Sequence, residues 1–140
     1  MAHRLEFDFQ HRILLIIHEG SVRGREIEKL GDQLKPQLGA LNPSAAISDF
    51  SGATIVETSS DMVRHLAMKD AASCLRALRR FIVAPREYQF GLARMYEISA
   101  YPPFVDLRVV RSKEEALATL GVQNPEFEEL GVEPFSPSKT

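Results

Sequence analysis

The stretch Phe81-Ile82-Val83-Ala84-Pro85-Arg86-Glu87-Tyr88-Gln89-Phe90-Gly91-Leu92-Ala93-Arg94-Met95-Tyr96 decides the fold. Its first four residues are apolar without interruption, the pattern of a strand covered on both faces. Pro85 then suits the first turn of a helix, because its φ is already helical and its missing N–H is not needed there. From there Tyr88, Leu92, Met95 and Tyr96 fall toward one side at helical spacing. A buried strand feeding straight into a helix is half of a crossover, and crossovers build parallel sheets.

Working outward, the same unit recurs. Ala45–Phe50 reads as a short buried strand that Ser51-Gly52 breaks, with Thr54-Ile55-Val56 continuing extended. Thr58-Ser59-Ser60-Asp61 is a dense helix N-cap signal. The helix behind it carries Met62, Val63, Leu66 and Ala67 inward, and helix is expected again from Lys69 to Leu78. Near the start, Leu5-Glu6-Phe7-Asp8-Phe9 alternates as a half-buried strand, Gln10-His11 turns, and Ile13–Ile17 is an unbroken apolar strand; together they read as an antiparallel hairpin. Ile27, Leu30, Leu34 and Leu38 mark a helix that Pro36 ends near Lys35. Downstream, Tyr101-Pro102-Pro103 ends the helix of the opening stretch, and Phe104–Val110 alternates as an edge strand. Ser112 with Glu115 forms a capping box, and Gly121 closes that last helix. The order β-β-α-β-α-β-α-β-α implies an α/β domain over residues 1–121: a mixed, mainly parallel five-stranded sheet with an N-terminal β-hairpin and four to five helices. Residues 122–140 hold three prolines and an acidic excess and read as a loosely attached tail, in which Phe127, Leu130 and Phe135 are the docking residues.

At 140 residues, 44% hydrophobic and 26% charged, the chain has the composition of one ordinary globular domain. Residues 1–111 carry 15 Lys and Arg against 13 Asp and Glu, and residues 112–140 carry 2 against 6. Neither balance is that of a nucleic-acid-binding module. Cys74, set among Ala71, Ala72, Leu75 and Leu78, reads as a small buried filler and rules out an internal disulfide. No apolar run approaches the ~20 residues of a membrane span, and no signal-peptide core precedes Leu5; a cytoplasmic protein is expected.

His3, His11, His18 and His65 form no ligand motif, although His3 and His11 lie on facing arms of the expected hairpin, so no metal or cofactor is expected. Asp49 and Glu57 are too far apart for a carboxylate pair, and neither an acid–base set nor an activated nucleophile is visible. In a mainly parallel sheet, Val56→Ser59 and Ala84→Pro85 are both strand-to-helix junctions at the edge where open α/β sheets bind ligands. Ser59, Ser60 and Arg86 there would suit a small anion; the plain alternative is two ordinary capped turns. Arg76, Arg79, Arg80 and Arg86 are either a solvated face or a contact for an acidic partner or anionic headgroup. Tyr88, Phe90, Leu92, Met95, Tyr96 and Ile98 put more apolar surface on helix 86–100 than one core stripe needs, which fits core packing, an apolar pocket or a homodimer surface.

Two segments resemble the STAS-like family. Asp49-Phe50-Ser51-Gly52-Ala53-Thr54-Ile55-Val56-Glu57-Thr58-Ser59-Ser60 is similar to its central signature, in which a strand leads into an Asp-Ser-Ser-Gly turn. Glu57, Thr58 and Ser60 replace the Asp, first Ser and Gly; Ser59 keeps the serine that is phosphorylated in anti-sigma factor antagonists. Ile82-Val83-Ala84-Pro85 and Phe90-Gly91-Leu92-Ala93-Arg94-Met95-Tyr96, with Lys113-Glu114-Glu115-Ala116-Leu117, resemble a bacterial branch related to CRAL-TRIO lipid-carrier domains. The resemblance spans about residues 3–121. It implies a non-catalytic regulatory or protein-interaction module whose surface includes Thr58, Ser59 and Ser60. The alternative is a small-molecule or lipid-binding protein with an apolar pocket beside helix 86–100. Arg94 is then either a structural ion-pair residue or, with Arg86, part of a ligand crevice.

Overall fold

Strand β2 (Ile13–Arg23) organises the molecule, whose computed structural model describes residues 2–130. Its apolar run is buried on both faces, and successive residues serve opposite sides. Leu14 and Ile16 pack with Leu30, Leu34 and Leu38, whereas Ile13 and Leu15 pack with Phe81, Val110, Ala116 and Leu117. A strand with two dry faces cannot afford polar alternation, which is why Ile13–Ile16 reads as continuous hydrophobe.

The other strands are β1 (Ala2–Asp8), β3 (Ala45–Glu57), β4 (Arg80–Val83), β5 (Leu107–Val110) and β6 (Glu128–Leu130). They form one sheet in the order β5-β4-β3-β2-β1-β6. The steps from β2 to β5 are parallel, and β1 is antiparallel to both its neighbours. The helices are α1 (Gly24–Leu34), the single turn α2 (Leu38–Leu41), α3 (Ser60–Ala71), α4 (Glu87–Ser99) and α5 (Lys113–Leu120). Each crossover from β2 to β5 steps the same way along the sheet, so a constant right-handed sense puts α1, α3 and α4 on one face. The fourth connection carries α5 across the opposite face, against Ile47, Phe81 and Val83, to the far edge.

Four details differ from expectation. The sheet has six strands, not five, because Glu128–Leu130 pairs with Leu5–Phe7. Phe127 and Leu130 pack on the two sides of the core; Phe135 lies outside the described residues. β3 runs unbroken through Ser51-Gly52, with the irregularity absorbed as register shifts against β2 around Glu19 and Gly20. Gly20 supplies the φ of +72° needed there. Finally, α3 stops at Ala71, and a 3-10 turn at Cys74–Arg76 replaces the expected helix to Leu78. Ser73 makes this break, its hydroxyl accepting from the Leu75 amide and donating to the Asp70 carbonyl. The turn leaves Cys74 exposed, not buried.

Candidate functional site

β2 and β3 end side by side, with Arg23 paired to Glu57, and each turns at once into a helix. The N-termini of α1 and α3 therefore open at the same end of the sheet. Ser59 is the N-cap of α3: its backbone is extended, and its Oγ accepts a hydrogen bond from the Met62 amide at 3.1 Å. Ser59 and Ser60 are exposed, while Thr58 is half-buried. Arg23, Arg25, Glu26, Glu57, Thr58, Ser59 and Met62 line one shallow cleft, with the two arginines offset by the two glutamates.

Gly24 holds this corner together. A Cβ there would stand 2.4 Å from Thr58 Oγ1 and 2.7 Å from Met62 Cγ. The close approach locks the start of α1 onto the turn that presents Ser59. Gly24→Ala is expected to lower folding stability by about 1–3 kcal/mol through overpacking. Equilibrium urea unfolding checks this, and a second change, Met62→Ala, should recover part of the loss.

Arg86 and Arg94 are not gathered into that cleft. β3 outruns β4 after Asp49, leaving backbone groups of its outer edge unpaired. The first residues of α4 supply the partners. Arg86 Nη1 donates to the Ala53 carbonyl at 2.7 Å, Gln89 Nε2 donates to the Phe50 and Ala53 carbonyls, and Tyr88 Oη accepts from the Val56 amide at 3.2 Å. Arg94 is exposed on α4 and pairs with Glu97 at 3.4 Å. The other clustered arginines also divide: Arg79 pairs with Asp106, and Arg80 lies over the Phe104 ring.

The histidines are rearranged in the same way. His3 faces His18 across β1–β2, and His11 Nδ1 hydrogen-bonds Asp8 instead of approaching His3. Asp49 accepts from the Ser51 amide and hydroxyl and has no contact with Glu57. Among the described residues no group of three His, Cys, Asp or Glu side chains could hold a metal ion. No helix among them is long and apolar enough to cross a membrane.

A second feature lies beneath the helices. Between the Leu14/Ile16 face of the sheet and α1, α3 and α4 is a chamber of about 170 Å3. Leu66, Leu92 and Ala93 are in its walls, and its polar lining includes Lys35, Lys69, Asp70, Arg80 and Tyr96 at the end away from Ser59. Asp70 accepts from Tyr96 Oη at 2.6 Å and pairs with Lys35 Nζ at 3.0 Å. Burial raises the Tyr96 phenol far above its ordinary value, with Arg80 opposing and Asp70 reinforcing the shift, so it stays a neutral donor. Periodicity reveals which residues face inward, not whether two layers meet without a gap. The one sequence trace of the chamber is the apolar excess on helix 86–100.

Among solved structures, the chain is similar to the anti-sigma factor antagonist SpoIIAA in its unphosphorylated form, with 14% identity and a TM-score of 0.52 over 87% of this chain and all of the other. It also matches the Bacillus cell fate determinant SpoIIAA in the phosphorylated form, with 16% identity and a TM-score of 0.48 over 85% of this chain and 99% of that one. No protein-family model and no curated protein matches the chain. At such identities the likeness is one of fold: the chain has the STAS-type α/β arrangement of the unphosphorylated SpoIIAA structure.

Proposed function

We propose that this protein is a non-catalytic regulatory module that meets a protein partner with the N-terminus of α3, and that Ser59 is its phosphate acceptor. The observation that carries the reading is the setting of Ser59, an exposed hydroxyl at a helix N-cap on the fold shared with an anti-sigma factor antagonist. Ser59 Oγ is engaged only as an acceptor, from the Met62 amide. A phosphate at this position would keep the N-cap role and gain from the positive end of the helix. It would also bring about −1.5 to −2 charges to a cleft whose side chains otherwise balance. That is a large local change in what the surface can bind.

The test is peptide mapping by mass spectrometry of the protein recovered from its own cells with phosphatases inhibited. Phosphate on Ser59, and its loss in Ser59→Ala, is the expected result. Phosphate confined to other residues, or none across growth conditions, would refute the reading. Loss of the cap alone should cost Ser59→Ala about 1 kcal/mol, so the variant remains folded for the comparison.

A further inference from the structure

The chamber is lined mostly by hydrocarbon and has in its wall one cation that no carboxylate pairs. Arg80 forms part of that wall. Its guanidinium carbon lies 4.5 Å from the Phe104 ring centre and 5.5 Å from that of Tyr96. Those contacts hold the guanidinium against aromatic faces and beside the Tyr96 phenol oxygen, which is itself bonded to Asp70, and they supply no carboxylate. Arg80 has no carboxylate partner among the described residues, and its Nε and Nη2 are buried with no hydrogen-bond partner. The two acids in the same wall are already committed, Asp70 to Lys35 and Tyr96 and Glu28 to Lys69 and His65.

Nε and Nη2 form one edge of a guanidinium, and two parallel N–H groups on one edge match the two oxygens of a carboxylate. Two buried N–H groups left without an acceptor are costly, so an incoming carboxylate gains both the pair and relief of that cost. The space sets the rest of the ligand. An apolar cavity of about 150 Å3 takes one benzene-sized molecule, so about 170 Å3 holds one ring or a short chain and not a diacyl lipid. We propose that the chamber binds a small apolar monocarboxylate, its hydrocarbon body against Leu66, Leu92 and Ala93 and its carboxylate on the Nε–Nη2 edge of Arg80. The site is separate from Ser59 and does not depend on its phosphorylation.

Isothermal titration calorimetry on the full chain tests this with phenylacetate and with 2-phenylethanol, a neutral molecule of nearly the same size. Phenylacetate should bind saturably, about tenfold or more tighter than the alcohol. Arg80→Met, which retains most of the side-chain volume, should bring phenylacetate down to the level of the alcohol and leave the alcohol unchanged. Ala93→Phe should fill the chamber and abolish both. Circular dichroism on each variant separates loss of binding from loss of fold, and the wild-type comparison of the two ligands needs no variant at all. Equal affinity of the wild type for the two ligands overturns the proposal. So does a carboxylate preference that survives Arg80→Met, or tighter binding of hexadecanoate or phospholipid vesicles than of phenylacetate.

Discussion

Asp8→Ala is expected to lower folding stability by about 3–5 kcal/mol, seen as a large fall in the urea midpoint at neutral pH. Asp8 is 1% exposed, yet it is charged. Its carboxylate is the hub of four donors: Oδ1 accepts from the amides of Gln10 at 2.9 Å and His11 at 3.0 Å, and Oδ2 accepts from His11 Nδ1 at 2.9 Å and the Glu126 amide at 3.3 Å. Alanine would orphan these groups together and free the β1–β2 turn from the segment leading into β6. Burial pushes the Asp8 carboxyl up, but the bonds from His11 and Glu126 outweigh it and hold it below the usual carboxylate range. A depressed carboxylate stabilises the fold above its unfolded value of 3.8, and the contribution disappears as pH falls through the lower folded value. Asp8→Asn keeps one acceptor oxygen and should lose about half as much. The Glu126 amide should exchange with solvent faster in both variants. A change under about 1 kcal/mol for Asp8→Ala would show that the hub is not a net stabiliser.

The second large effect appears in mild acid. His18 is 2% exposed, its ring stacked on Phe50 at 4.2 Å between centres. Its Nδ1 has no partner. Burial, with a smaller contribution from the charge of His3, lowers its pKa from 6.5 to about 3. The unfolded chain takes up this proton from about pH 6.5 downward while the folded chain refuses it until about pH 3. Each pH unit in that window therefore removes about 1.4 kcal/mol, about 5 kcal/mol in all. His18→Phe keeps a ring against Phe50 and cannot titrate, so its urea midpoint should fall much less between pH 6.5 and 4 than that of the wild type, the remaining slope coming from His3, whose pKa burial also lowers. Identical profiles in that range would exclude His18 as the source. The two acid effects are separable, because the loss due to Asp8 begins only near pH 3.8.

The parts of the fold legible in the sequence are those in which one local pattern dominates. Ile13–Ile17 and Phe81–Ala84 announce strands with two covered faces, and Ser59 and Ser112 announce helix starts that the structure places at those residues. Legibility fails where a residue's partner is distant in the chain. Glu128-Glu129-Leu130 has no strand pattern of its own and becomes β6 only because β1 offers an open edge. Asp8, one polar residue of an alternating strand, is buried because Glu126 comes to it across 118 residues of sequence. Arg86 sits beside the expected crevice in the chain, yet it answers the carbonyl of Ala53 because β4 is too short to pair all of β3. The chamber depends on how closely three helices approach one sheet face, which no single segment encodes.

β6 also decides what the molecule does in a crowd of its own copies. A bare sheet edge is a template on which a second chain can build, and without β6 the Leu5–Phe7 stretch of β1 would be such an edge. β6 covers that stretch, and Glu128 and Glu129 put one carboxylate on each face of the strand. The acidic segment after α5 thus places charged side chains along what would be the bare β1 edge, one of the devices by which sheets discourage a second chain from pairing there.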